Sequence, residues 1–531
     1  MSSPIRPIRQ SLPFRLTSSA LAALLVLAGC GGGGGSPNVG TRGPDAQQPA
    51  TPAPTPVTSQ ATPEDLNPNL LAASSTYANL CAKPRSGVDA SGQAFPDRQG
   101  TLLDELKFLR AWTNENYLWY DEVPNTFRMA AFSDPIAYFD VLKTPAITPS
   151  GKPKDEFHFT YPTAEWDAMQ NEGIDLGYGI TWTRNSTTAP RTWLITAVEP
   201  GSPAAAAGLL RGDMLAQVDG VDFVNASDAT AVARINAGLF PDAAGSTHRF
   251  TLQRNGVPYE VSMTALEVRV APVKNVKVIE TASGKVGYLT FDTHNAVSEK
   301  QLVDAIATLR DAGVSDLVLD VRYNGGGLLY VASELAYMIA GPANTAGKVF
   351  ERAQVNNKTP ADDPIPFRAT AYGFDSPNPV RAGTPLPTLG LKRVTVLSTS
   401  GTCSASEAII NGLRGADVEV IQIGGATCGK PYGFYPTPNC GTTYFSIEFK
   451  GVNHKGFGDF ADGFAPTCAV SDDLSRPVGD PAEGMLAAAL AYRTNNACPV
   501  STSRARAVPM QIVRPAVKEI AIRTRGEAVQ R

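Results

Sequence analysis

The spacing of apolar residues in the second half of the chain predicts strands that alternate with helices. Short apolar runs predict strands at 286–289, 317–320, 394–397 and 418–423. The stretches between them predict helices at 301–312, 328–339 and 405–413. This alternation indicates a layered α/β fold with parallel strand pairs.

Two differently patterned regions precede this core, which we place at 269–500. Residues 70–171 have a helical pattern, with Thr101 and Asp104 placed to cap a helix that carries Leu106, Leu109 and Trp112 on one face. Residues 172–268 change to short strands and turns. Residues 342–390 are rich in Pro, Asn and Thr and predict a surface insertion. The basic tail 501–531 fits either a loose end or a packed terminal strand.

The first thirty residues predict an export signal instead of a part of the fold. Arginines precede an apolar run at 21–27, which is shorter than the roughly 20 residues of a membrane-spanning helix. The run ends in Leu27-Ala28-Gly29-Cys30, which resembles the lipobox of bacterial lipoproteins. That resemblance implies removal of a signal peptide at 1–29 and acylation of Cys30. An ordinary signal peptide with an incidental cysteine is the alternative.

The residues after Cys30 predict how the chain is held at the membrane. The Gly- and Pro-rich composition of residues 30–69 predicts a disordered tether. We therefore expect a protein on the periplasmic side of the bacterial cell envelope, anchored through Cys30. Because Gly31 is not the Asp that retains many lipoproteins at the inner membrane, the outer membrane is favoured.

Charge and cysteine content narrow the function classes. A net charge of -4 gives no basic field for nucleic acid, and four histidines without paired-cysteine spacing indicate no metal site. Once Cys30 is set aside, six of the seven cysteines remain, an even number that suggests disulfides in an exported chain. They are Cys81, Cys403, Cys428, Cys440, Cys468 and Cys498, and their pairing is left open.

The region 172–268 carries a motif for peptide binding. The run from Val198 to Ala204, followed by the turn Gly212-Asp213, resembles the PDZ domains of bacterial proteases. Upstream, Gly177-Tyr178-Gly179-Ile180 resembles the loop in which PDZ backbone N–H groups bind a peptide carboxylate. The resemblance implies that Gly177, Tyr178, Gly179 and Ile180 bind the substrate C-terminus and that the peptide adds as a strand. A plain cluster of turns is the alternative.

Three loops that follow predicted parallel strands carry the candidate catalytic residues. Ser404 opens a helix, whose N-terminal N–H groups would stabilise an oxyanion. Lys430 follows the next strand, and a buried neutral lysine can deprotonate a serine. The Gly-rich loop Asp320–Gly327 follows the third strand. Each residue also has an ordinary interpretation, because Ser404 with Glu407 forms a capping-box pattern and a lone lysine is usually a surface charge.

Together these motifs resemble the carboxy-terminal processing, or tail-specific, serine peptidases. The resemblance implies a crotonase-like (ClpP/crotonase-type) layered α/β core with an inserted PDZ-like domain and an N-terminal helical segment. It implies Ser404 as nucleophile, Lys430 as general base, Gly326 and Ala405 as oxyanion donors, and no cofactor. The expected partners are polypeptides with accessible tails or unfolded segments.

The chain departs from the family pattern at the residue that orients the lysine. Gly415 and Phe434 stand where some members have Asp or Gln, so Asp417 is our predicted substitute. Two other functions stay open: a catalytically weak or inactive peptide-binding lipoprotein that uses its PDZ domain, and a cysteine peptidase that pairs Cys403 with a histidine.

Overall fold

The computed structural model describes residues 61–499, apart from 90, 187 and 188, and the strand 511–513. The predicted signal peptide, Cys30 and most of the tether lie outside this part. The predicted end of the tether at residue 69 is wrong. Thr62 caps the short helix α1 (Pro63–Leu66), and the buried Asp65 carboxylate accepts the Met129 N–H at 2.9 Å. None of the described helices combines the length and apolar character needed to span a bilayer.

The N-terminal region consists of one long helix and several short elements. They are α2 (Ser74–Tyr77), β1 (Leu80–Cys81), β2 (Arg98–Gln99), α3 (Leu102–Asn116), α4 (Pro135–Phe139), β3 (Phe159–Pro162) and α5 (Thr163–Asp167). The predicted cap of α3 is confirmed, because Thr101 Oγ1 accepts the Asp104 N–H and the Asp104 carboxylate accepts the Thr101 N–H. Leu106, Leu109 and Trp112 are buried.

A β-rich domain follows, as predicted for residues 172–268. Its elements are β4 (Ile174–Gly177), β5 (Ile180–Arg184), β6 (Trp193–Val198), α6 (Pro203–Ala206), β7 (Met214–Val218), β8 (Val221–Asp222), α7 (Ala229–Leu239), β9 (Thr247–Arg254), β10 (Val257–Thr264) and β11 (Leu266–Arg269). The main sheet has the order β10-β9-β7-β6-β5, and β4 pairs with β11. Trp193, Leu215 and Phe250 belong to its own hydrophobic core.

The alternating strands and helices form the α/β core. Its elements are β12 (Val273–Thr281), β13 (Gly284–Phe291), α8 (Ala296–Asp311), β14 (Asp316–Asp320), α9 (Leu329–Thr345), β15 (Val349–Val355), β16 (Ile365–Pro366), β17 (Arg393–Ser398), α10 (Ala405–Gly415), β18 (Glu419–Gly424), β19 (Tyr432–Gly433), β20 (Thr437–Asn439), β21 (Thr442–Phe445), β22 (Phe449–Val452), β23 (Cys468–Ala469) and α11 (Gly484–Asn495). The central sheet has the order β12-β13-β14-β17-β18-β23 and is parallel from β13 onward. The predicted alternation is confirmed.

The segment 342–390 is not a surface insertion, and that prediction was wrong. Strand β15 lies in a second sheet of order β16-β15-β22-β19. Phe350, Ile365 and Phe367 are buried in the main hydrophobic core. The segment is rich in Pro, Asn and Thr, so the separate apolar positions that reach the core do not stand out in the sequence. A third, smaller sheet of order β20-β21-β3 joins the N-terminal region to the core.

Covalent links and the tail complete the architecture. Three disulfides join Cys81 to Cys440, Cys403 to Cys428, and Cys468 to Cys498, which settles the pairing that the sequence left open. The part of the tail that the structure describes, β24 (Gln511–Val513), pairs antiparallel with β5. For these residues the tail is therefore a packed strand.

Candidate active site

Ser404 lies at the corner between β17 and α10, where the sequence placed it. Its backbone has φ 57° and ψ −114°, a conformation that strains a residue other than glycine by roughly 1–3 kcal/mol. The side chain is buried, and among the described residues its Oγ has no hydrogen-bond partner. The hydroxyl therefore does not act as the helix cap.

Glu407 connects the Ser404 corner to the loop that carries Lys430. Its buried carboxylate accepts the N–H groups of Ser404, Gly429 and Lys430, each at 2.9 Å, and the Thr427 hydroxyl at 2.6 Å. Burial raises the pKa of this carboxyl group. Glu407 belongs to the predicted capping box, but its hydrogen bonds to residues 20 to 23 positions away were not predicted from the sequence.

A disulfide reinforces the same connection. Cys403 precedes Ser404, Cys428 lies two residues before Lys430, and the two sulfurs are bonded. Cys403 therefore has no thiol to act as a nucleophile, which removes the cysteine-peptidase alternative. Cys403, Cys428 and Glu407 are also the one cluster of metal-type ligands in the described part of the chain. Sulfurs that are bonded to each other are not thiolate ligands, so these residues do not fit a metal.

Lys430 is buried, so its interpretation as a surface charge is wrong. Its side chain is 1% exposed, and Nζ lies 4.5 Å and 4.4 Å from the ring centres of Phe157 and Phe434. Ser404 and Lys430 line one small cavity. The structure thus brings together two residues that are 26 positions apart. A larger cavity of about 300 Å³, bordered by Trp166 and Leu328, contains neither.

Glu351 lines the small cavity together with Ser404 and Lys430. It is buried on strand β15, and its carboxylate packs closely against the backbone of Gly451 on strand β22. The sequence analysis missed Glu351, because it lies inside the segment that was predicted to be a surface insertion. The burial of Glu351 would have marked it as a site residue, but burial cannot be read from the sequence of a segment that predicts a loop.

The Gly-rich loop also meets the Ser404 corner, although its predicted role changes. The Asn324 carbonyl accepts the Cys403 N–H at 3.0 Å, while Asn324 Oδ1 accepts the Gly326 N–H at 2.9 Å. Because the Gly326 N–H is already engaged, the assignment of Gly326 as an oxyanion donor is wrong for this conformation. A Cβ at Gly326 would lie 2.9 Å from both the Ala405 nitrogen and Ser404 Cβ, so glycine permits close approach.

Ala405 stays a predicted oxyanion donor. It is the first residue of α10, and the N–H groups in the first turn of a helix have no partner within the helix. This N–H lies directly after the Ser404 corner and beside Gly326.

Asp417 does not reach the site, and its prediction as the lysine-orienting residue was wrong. It follows the C-terminal end of α10, roughly 20 Å along the helix from Ser404. Its exposed carboxylate pairs with Lys455 at 2.5 Å and Lys348 at 2.9 Å. These hydrogen bonds, of which that from Lys455 has the larger effect, lower the pKa of Asp417 to about 2.

The loop predicted to bind a carboxylate packs tightly on the turn that follows β6. The carbonyls of Tyr178 and Gly179 accept the N–H groups of Ala204 and Glu199. A Cβ at Gly179 would lie 2.3 Å from Ser202 Cβ. The loop leads directly into β5, whose outer edge is paired with β24. Loop and sheet edge therefore adjoin, and carboxylate binding by Gly177, Tyr178, Gly179 and Ile180 stays a prediction.

Comparisons with known proteins find matches in the N-terminal region, the β-rich domain and the α/β core. The protein-family model described as Peptidase family S41 matches residues 285–437. The family model of a PDZ domain matches residues 194–238, and the family model of the Peptidase S41 N-terminal domain matches residues 105–158. The crystal structure of a putative S41 protease from Bacteroides fragilis aligns with a TM-score of 0.56 and 24% identity. It covers 73% of this chain and 97% of that chain, which shows a shared fold.

Curated relatives match over shorter stretches. A carboxyl-terminal-processing protease of Picosynechococcus sp. is 32% identical over 26% of this chain and 32% of its own length. One from Synechocystis sp. is 26% identical over 44% of this chain and 49% of its own length. The alignments thus span between a third and a half of these relatives.

Proposed function

We propose that the chain is a serine endopeptidase of family S41 that cleaves exported or misfolded polypeptides through an acyl-enzyme, a proposal supported by the S41 matches at residues 285–437 and 105–158. The observation that carries the proposal is the buried Ser404 hydroxyl, which caps no helix and shares a cavity with Lys430. Serine at a helix start usually caps that helix. A hydroxyl released from that role, on a strained backbone, is typical of a nucleophile.

In the proposed reaction, Ser404 Oγ attacks the carbonyl carbon of the scissile bond while the Lys430 amine takes its proton. The Ala405 N–H donates to the developing oxyanion at the positive end of α10. Lys430 then returns the proton to the leaving amine, and the acyl-enzyme forms. Water then attacks the ester and gives a proton to the Lys430 amine. Lys430 passes this proton to Ser404 Oγ as the acyl–oxygen bond breaks, which releases the new carboxyl terminus and restores both the serine hydroxyl and the neutral amine.

The surroundings of Lys430 suit a base. Burial of an ammonium group costs several kcal/mol, whereas contact with aromatic faces returns about 0.5–2 kcal/mol. Lys430 is 1% exposed, and its Nζ lies 4.5 Å and 4.4 Å from the ring centres of Phe157 and Phe434, so the proposed base lies in a largely apolar environment. We assign Glu351 as the residue that positions this amine, because it contributes a hydrogen-bond acceptor to the same cavity.

The location of the protein is part of the proposal. The disulfides of the described chain suit an oxidising compartment, which supports export to the periplasmic side of the bacterial envelope. We propose cleavage of the signal peptide before Cys30, lipid attachment to that cysteine and retention at the outer membrane. Labelling with radioactive palmitate tests this, since Cys30→Ser should abolish incorporation.

The protease proposal is tested with casein as substrate. The mature protein should release peptides, and Ser404→Ala should lower the rate by at least about 10⁴-fold. A circular dichroism spectrum unchanged by the substitution shows that the fold is kept. If both proteins cleave equally, Ser404 is not the nucleophile. If neither cleaves any unfolded protein tested, the result contradicts the protease proposal and supports the peptide-binding alternative.

A further inference from the structure

The chain's own C-terminal strand lies on the sheet edge where a PDZ domain receives a peptide. Strand β24 pairs with β5, with Gln511 opposite Arg184, Ile512 opposite Thr183 and Val513 opposite Trp182. Strand β5 begins at Ile180, directly after the loop Gly177–Gly179. We propose that Gln511–Val513 is an intramolecular ligand of the PDZ domain, which an incoming polypeptide must displace. This inference rests on the proposed peptide binding by that domain.

The direction of β24 supports a ligand role. The pairing is antiparallel, so the chain runs from Arg184 toward Trp182 and hence toward the loop that precedes β5. A peptide that adds to this edge with its carboxyl end at the loop runs the same way. A strand in the opposite direction would cover the edge without imitating such a peptide.

The burial of β5 agrees with an edge that is occupied. Trp182, Thr183 and Arg184 are each at most 6% exposed, although sheet edges are usually open to water. The pairing involves three residues, whereas a typical strand has about five to six. A contact this short, made through backbone groups, can be exchanged for a longer peptide.

Tethering determines how strongly the tail competes. Cys498 is fixed to Cys468 in the core and lies 13 positions before Gln511 (511 − 498). A short linker gives an effective local concentration on the order of 1 mM. A tethered tail whose own intrinsic dissociation constant for the free edge is about 0.1 mM weakens the apparent binding of an added peptide by about 10-fold.

The test measures peptide binding in the Ser404→Ala protein, where the probe is not cleaved. The probe is a fluorescent peptide that copies residues 507–513 and has a free carboxylate. Ile512→Pro with Val513→Pro removes the N–H groups at two adjacent positions, one of which faces β5, so peptide binding should tighten by about 10-fold. Ile512→Ala with Val513→Ala keeps these donors and should bind like the unsubstituted tail. Equal binding by all three proteins would overturn the proposal.

Hydrogen exchange provides the second measurement. The backbone amides of Ile180–Arg184 should exchange faster in the proline variant alone, while those of the core strand Arg393–Ser398 stay protected in all three proteins. Faster exchange without tighter peptide binding would mean that the tail merely covers the edge, and the proposal would be wrong. If the proline variant binds the peptide more tightly while the protein with its native Ser404 cleaves no substrate, that pair of results would support this inference and contradict the proposed protease function.

Discussion

The Ser404 corner and the PDZ edge are both placed where strands end, but they are held in different ways. At the corner, a disulfide and the buried Glu407 carboxylate join two loops that are distant in sequence. At the PDZ edge, backbone packing on Ser202 and a three-residue strand provide the contacts. The first arrangement fixes atoms for chemistry, whereas the second leaves a surface whose occupant can change.

After Ser404→Ala, the largest loss of activity should come from substitution of Lys430, and it should affect the Ser404 corner without affecting the PDZ edge. Lys430→Met removes the proposed base, and Lys430→Arg keeps a charge that is not released near neutral pH. Both should lower kcat/KM for casein by about 10³-fold. Binding of the 507–513 peptide should not change. Full activity in Lys430→Arg would exclude the general-base role.

Glu351 should give the next largest effect. Glu351→Leu removes the acceptor and should lower kcat by about 100-fold, whereas Glu351→Gln retains an oxygen and should stay within about 10-fold. A positioning role also predicts that the pH–rate profile shifts in Glu351→Gln. If the two variants lose activity equally with unchanged pH profiles, Glu351 serves packing alone.

The role of the Cys403–Cys428 disulfide at the Ser404 corner can be tested against the Cys468–Cys498 disulfide, which lies elsewhere in the core and serves as a control. Their sequence separations are 25 and 30 residues, so each should stabilise the fold by about 3.5 kcal/mol through the unfolded chain. Replacing either pair by alanines should lower the urea midpoint similarly. Reaction of Ser404 with a fluorophosphonate probe should slow by about 10-fold only when Cys403 and Cys428 are replaced. If labelling of Ser404 slows equally when either disulfide is replaced, the Cys403–Cys428 disulfide has no specific role in the site.

Much of this corner was predictable from the sequence, because the motifs follow apolar runs and parallel strands must end together. Ser404 and Lys430 were found this way. Glu351 was not, since its strand lies in a Pro- and Thr-rich segment and contacts the site only through tertiary pairing. Asp417 was chosen by nearness in sequence, but a helix carries residues away from its start. The hydrogen bond from the Gly326 N–H to Asn324 Oδ1 depends on the side-chain rotamer of Asn324, which cannot be predicted from the spacing of residues in the sequence.

The PDZ loop offers a smaller effect with a close control. Gly179 and Gly201 have nearly the same φ, 74° and 75°. A Cβ at Gly179 would lie 2.3 Å from Ser202 Cβ, whereas a Cβ at Gly201 would have no atom within 4 Å apart from its chain neighbours. Both alanine variants carry the left-handed strain of about 1–2 kcal/mol, and Gly179→Ala adds about 1–3 kcal/mol from overpacking. Measured in the proline tail variant, the 507–513 peptide should bind more weakly to Gly179→Ala alone. Fluorophosphonate labelling of Ser404 should remain normal in both.

Asp417 should give the smallest effect, one confined to stability. Its pKa is lowered to about 2 by Lys455 and Lys348, below the unfolded value of about 4. The ionised carboxylate therefore stabilises the fold above pH 4, and this contribution fades as the pH falls through 2. Asp417→Asn should have a slightly lower urea midpoint at pH 7, and the difference should narrow at pH 3. Casein cleavage should be unchanged, because an exposed ion pair at the far end of α10 does not contact Lys430; a large loss of activity would restore Asp417 to the site.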